Sequence, residues 1–104
     1  MYKVAYNACY GGFSLSREAS EYLRDTYGVD IDPDYGYVYD IERHDPRLIE
    51  TIEKFGEGAS GRFSDIQIKE IESAMYRIDE CDGHEIVETP DNVEWVVIKE
   101  NKDV

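Results

Sequence analysis

Asn7-Ala8-Cys9-Tyr10-Gly11-Gly12-Phe13-Ser14-Leu15-Ser16 joins a stretch of strand character to one of helix character through paired glycines. Before it, Tyr2 to Ala8 alternates with Val4 and Tyr6 on one face, the period of a strand. After it, Ser14 or Ser16 is placed to cap a helix that runs to about Tyr27. Leu15, Ala19, Tyr22, Leu23 and Thr26 follow the helical period, and Gly28 suits the position just past the helix end. A strand, a glycine turn and a helix N-terminus in this order present backbone N–H groups and a favourable dipole to an anion. The competing reading is that the glycines serve only a sharp turn.

Further along, Asp30-Ile31-Asp32-Pro33-Asp34 reads as an acidic loop and Tyr35 to Ile41 as a second strand. Tyr35, Tyr37, Tyr39 and Ile41 share one face of it. Asp45-Pro46 is a helix start, an N-cap followed by proline at the first helical position. Leu48, Ile49, Ile52 and Phe55 form the buried stripe of that helix, and Gly56 ends it. A second small-residue loop, Gly58-Ala59-Ser60-Gly61-Arg62, leads into four candidate strands: Asp65 to Ile71, Met75 to Cys81, His84 to Glu88 and Glu94 to Ile98. Asp82-Gly83 tolerates the positive φ angles of a two-residue hairpin turn. Thr89-Pro90-Asp91-Asn92 has the composition of a turn, and residues 100–104 read as a frayed polar tail. The order β-α-β-α-β-β-β-β predicts a single α+β domain over 1–104: a mainly antiparallel sheet of five to six strands with two helices on one face.

Composition narrows the function classes. The chain has 104 residues, 41% of them hydrophobic, enough for one modest core. No apolar run reaches membrane-span length, and the first residues lack a secretory signal, so a cytoplasmic setting is expected. Two cysteines, Cys9 and Cys81, stand far apart without metal-ligand spacing and read as free thiols. With 24 acids against 11 bases the net charge is −13, which opposes direct binding to nucleic acid or an anionic membrane. The imbalance is local as well: seven acids and no Lys or Arg fall between Ile78 and Ile98. Arg17, Arg24, Arg43, Arg47 and Arg62 come earlier, so one region can present cations within an acidic whole.

Three chemistries can be weighed from the residues. Phosphate could rest on the Gly11-Gly12 turn and the N–H groups of Ser14 to Ser16. Arg17, Arg43 and Arg47 would then supply charge, with Tyr10 or Phe13 stacking on a base. The loop matches neither a Walker A sequence nor the dinucleotide fingerprint. Alternatively, the carboxylates from Asp79 to Glu94 would form a ridge that mimics DNA phosphate or meets a protein partner, with Ile78, Ile86, Val93 and Trp95 turned inward. Third, Cys9 could act as a nucleophile assisted by His44 or His84, although cysteines at strand ends are commonly buried hydrophobes. Asp30, Asp32 and Asp34 fit a calcium loop poorly: glycine falls one position late, Pro33 intrudes, and the twelfth position is Ile41. No metal or cofactor is expected.

Asn7-x-Cys9-Tyr10-Gly11-Gly12-Phe13-x-Leu15-Ser16 resembles the opening of small hypothetical proteins encoded by tailed phages and large DNA viruses. The resemblance continues through Arg43-x-Asp45-Pro46-x-Leu48, Glu53-Lys54-x-Gly56-x-x-Ala59-Ser60-Gly61, Ile68-Lys69-Glu70-Ile71 and Glu80-x-Asp82-Gly83-x-Glu85. Pro90 to Ile98 extends beyond the usual end of such chains. The family has no established activity, so the resemblance implies a viral setting and the cytoplasm of an infected cell rather than a chemistry. It favours a non-catalytic binder of a small phosphorylated ligand, such as a host nucleotide signal, with Asn7, Cys9, Tyr10, Gly11, Gly12, Phe13, Ser14, Ser16, Arg17, Arg43 and Arg47 forming the site. An acidic inhibitor of a host protein is the alternative, and a homodimer through an edge strand is compatible with either.

Overall fold

The structure is a computed structural model, and it describes residues 1–90 and Ile98. Strand β1 (Tyr2–Asn7) pairs antiparallel with β2 (Ile66–Ile71), in a register that sets Tyr2 opposite Ile71 and Asn7 opposite Ile66. Strands β3 (Arg77–Cys81) and β4 (His84–Glu88) form a separate hairpin around Asp82-Gly83, both at positive φ. Helix α1 (Arg17–Tyr27) and helix α2 (Pro46–Phe55), the latter followed by a 3₁₀ turn over Gly56–Ala59, lie between the two strands of the first sheet in chain order. The fold is therefore α+β.

Both faces of β1 are buried, against different partners. Ala5, with Ile66 and Ile68 of β2, turns toward the helices and meets Ala19, Leu23, Leu48, Ile49 and Ile52. Val4 and Tyr6 turn the other way and meet Ile71 of β2 and Ile78 and Val87 of the hairpin. The period-two alternation of β1 thus serves two cores, with the first sheet sandwiched between helices and hairpin.

The helices start and stop where their caps dictate. Ser16 Oγ accepts from the Ala19 N–H at 3.2 Å, and Gly28 closes α1 in the left-handed conformation with φ 71°. At α2 the Asp45 carboxylate accepts from the Arg47 N–H at 2.9 Å, and Pro46 fills the first helical position. Leu23 and Leu48 are fully buried where the helices meet, whereas Thr26, expected on the apolar stripe, is exposed and Ser20 is buried instead.

In place of the expected single sheet of five to six strands, the described residues make two sheets of two strands each. Tyr35 to Ile41 is not a strand. Gly36 sits at φ 72° against the Leu15 carbonyl, where any Cβ would overlap that oxygen. The residues that turn toward the core are Val38 and Ile41, three apart rather than two, so the tyrosine alternation has no matching inner face. Of the expected strand Glu94 to Ile98 only Ile98 is described, and of the expected turn only Thr89 and Pro90; Val93, Trp95 and the tail 100–104 lie outside the described residues.

In the hairpin, Ile78 turns inward as expected, but β4 presents the opposite parity to the one expected for Ile86. Ile86 is 51% exposed, while Glu85 and Val87 are buried. A strand that alternates must commit one parity to the core, and here the committed parity carries a carboxylate. Its reason is a partner on another element.

Candidate functional site

The loop after β1 is held by Asn7, which is fully buried. Its backbone N–H donates to Glu85 Oε1 at 2.9 Å, and its Nδ2 donates to the carbonyls of Cys9 and Gly83, each at 2.7 Å. Its Oδ1 accepts from the Asp65 N–H at 2.8 Å and from Cys9 Sγ at 3.3 Å. Every polar group of the side chain is thereby engaged within the chain. Asn7 clips the loop, the hairpin turn and the start of β2 together.

Arg43 and Glu85 close the free edge of β1. The guanidinium meets the carboxylate through two bonds, Nη1 to Oε1 at 2.6 Å and Nη2 to Oε2 at 2.8 Å. The Ala5 N–H donates to the Arg43 carbonyl at 2.9 Å, so main chain and side chain both cover that edge. The guanidinium also lies over the Phe13 ring, 3.7 Å from its centroid. Phe13 is buried, with one face of its ring covered by Arg43.

The glycine loop is packed as tightly. A Cβ on Gly11 would overlap the Phe63 carbonyl, and one on Gly83 would stand 2.6 Å from the Gly12 nitrogen. Gly11 is required by close approach, Gly12 by its φ of 88°. The N–H groups expected to receive phosphate are occupied: Ser14 donates to Ser64 Oγ, Leu15 to the Gly36 carbonyl and Ser16 to the Ala59 carbonyl. Ser16 Oγ donates to the Gly58 carbonyl at 2.6 Å, and Ser14 Oγ and Ser64 Oγ share a 2.7 Å bond. The Ser14-to-Ser16 cradle expected from sequence is therefore corrected to a seam between two glycine loops.

The remaining candidates divide. Cys9 Sγ donates to the Phe63 carbonyl at 3.0 Å, and neither histidine is its hydrogen-bond partner. His44 Nδ1 is paired with Tyr76 Oη at 2.7 Å, and His84 packs beside Tyr10 with ring centroids 5.3 Å apart. Arg47 is held on Asp45, with Nη2 to Oδ2 at 2.7 Å, and this guanidinium keeps the Asp45 carboxyl below the usual carboxylate range.

Of the three expected cations, Arg17 lines the open space beside the glycine loop, whereas Arg43 borders a separate groove with His44 and Tyr76. The space at Arg17 is a cleft of about 400 Å³, lined by Gly11, Ser14 and Ser16 on one side and Asp34, Tyr35 and Tyr37 on another. Arg62 and Phe63 from the second glycine loop complete it. Tyr35, Tyr37 and Phe63 are exposed aromatic rings, and Arg62 lies over Phe63, 5.3 Å from its centroid. Arg17 is ion-paired with Asp34 and reaches Glu21 at 3.4 Å, so two guanidinium groups and one carboxylate face the cleft. Sequence reasoning missed Asp34, Tyr35, Tyr37 and Phe63. The signal was the pair of small-residue loops, 11–16 and 58–62, which meet here.

No protein-family model, no curated protein and no solved structure matches the chain. Among the described residues no helix is long and apolar enough to cross a membrane.

Proposed function

We propose that the chain binds a small phosphorylated ligand with a planar group, such as a nucleotide, without catalysing a reaction on it. The observation that carries this reading is the meeting of Arg17, Arg62, Tyr35, Tyr37 and Phe63 around one cleft. Guanidinium groups are matched to phosphate, exposed rings stack on a base, and the cleft volume falls within the range of small-ligand sites. In a chain of net charge −13, two arginines at one opening make a local exception. The loop motif's resemblance to phage and viral proteins supports a role in sequestering a host nucleotide signal.

The acidic hairpin ridge is the weaker reading, because Glu85 is turned inward onto Arg43 and Glu80 accepts from the Gly83 N–H at 3.0 Å. Calorimetric titration with a panel of mononucleotides and cyclic dinucleotides, with adenosine as the unphosphorylated control, tests the proposal. Arg62→Ala is expected to weaken binding at least tenfold with no change in melting temperature, and the nucleotide is recovered intact. Failure of every phosphorylated compound to bind, or binding indifferent to Arg62→Ala, overturns it.

A further inference from the structure

The tyrosine segment carries a second surface. Val38 and Ile41 pack against the helical core, and Tyr37 and Tyr39 point outward, Tyr39 being 82% exposed. Their ring centroids are 6.1 Å apart, near the repeat of about 6.7 Å between alternate residues of an extended chain. With Tyr35 and the aspartates 30, 32 and 40 they line a groove of about 340 Å³ that contains no Lys or Arg. Among the described residues, no backbone N–H from Tyr37 to Glu42 donates to another backbone group. A run of alternating exposed tyrosines with strand-forming Val and Ile, without a ladder partner among the described residues, offers its main chain as an unpaired sheet edge does.

We infer that this segment is a docking edge for another protein, and that its occupant is an extended segment rich in Lys and Arg. Main-chain bonds along 37–42 would give the added strand its affinity, and alternate cationic side chains would reach the tyrosine faces and the aspartates. Both groups attract cations, the rings through their π faces and the carboxylates directly. The overall charge of −13 steers such a partner toward the surface. The same charge argues against a second copy, since a two-fold pairing would set Asp40 and its neighbours against identical carboxylates. Tyr39 and Asp40 are not part of the cleft at Arg17 and Arg62, so the two sites can be separated by mutation.

The test is an NMR titration of the full ¹⁵N-labelled chain with a capped peptide that alternates Lys or Arg with Val. The control peptide carries Glu at the cationic positions. Binding of the cationic peptide alone is expected, with shifts and slowed exchange at the amides of 37–42. Tyr39→Ser and Asp40→Lys, both at exposed positions, are each expected to weaken it at least tenfold with the melting temperature kept. The inference is overturned if neither peptide binds, if both bind equally, or if the two substitutions leave affinity unchanged. Protection of those amides that grows with protein concentration alone would make a second copy the occupant and overturn it too.

Discussion

On one side of the Gly11-Gly12 loop, Arg43 and Glu85 are joined by two short bonds and covered by the fold; on the other, Arg17 and Arg62 stand at the mouth of a cleft among exposed rings. All four are ionised side chains within reach of the same loop. The first pair completes the backbone, because the Asn7 N–H donates to Glu85 and the Ala5 carbonyl accepts from Arg43 at the edge of β1. Among the described residues the second pair bonds no main-chain group, and Asp34 and Glu21 partly neutralise Arg17. A charge that satisfies main-chain groups in a half-buried place is structural. A charge that is exposed beside unfilled aromatic surface is available for recognition.

Breaking the closed side should have the largest effect on stability. Glu85→Ala leaves Arg43 without its counter-ion and the Asn7 N–H without an acceptor, at a cost of about 3 kcal/mol. Urea unfolding measures it, and a loss below about 1 kcal/mol would mean the pair behaves like an exposed one. Replacing both members together, Arg43→Met with Glu85→Leu, should recover part of the loss, because it removes the stranded charge.

A smaller effect distinguishes the two glycines. Gly11→Ala forces its Cβ into the Phe63 carbonyl and should cost roughly 2–3 kcal/mol through the shift it imposes on the loop. Gly12→Ala meets open space and bears only the left-handed conformation, about 1–2 kcal/mol. Chemical denaturation of both variants checks the order. A Gly12 variant less stable than the Gly11 variant would place the tight contact elsewhere.

The smallest expected effect belongs to Asp45 and Arg47, a pair between the two extremes in exposure. Arg47 holds the folded-state carboxyl below its unfolded value, so its contribution is fully present above about pH 4 and is lost as pH falls through the carboxyl range. Asp45→Asn keeps the helix cap and should flatten that part of the acid dependence, while Asp45→Ala also removes the cap at a cost of about 1 kcal/mol. Stability measured at several pH values between 2 and 6 would show an unchanged acid slope in Asp45→Asn if the pair contributes nothing.

Local signals were legible where one residue's chemistry decides the outcome. Ser16 and Asp45 cap their helices, Gly28 ends one, and Asp82-Gly83 turns the hairpin, each through bonds within a few residues. The alternation of β1 placed Val4 and Tyr6 correctly on one face. The tyrosine run was misread because its alternation is real but its core contacts, Val38 and Ile41, are three apart. Glu85 was read as part of an acidic ridge and Arg43 as a ligand-binding cation, and their pairing was not legible because each one's partner lies 42 residues away.

The sequence by itself determined the helices, their ends, the hairpin turn, the acidic balance and the glycine loop as a turn from strand to helix. These follow from propensity, capping and composition, which act over short separations in the chain. Only the tertiary structure decided which face of β4 is buried, which arginines are consumed by the fold, and that the two glycine loops meet beside Tyr35 and Tyr37. Those outcomes depend on which distant residue satisfies a buried polar group, and that choice is made by packing.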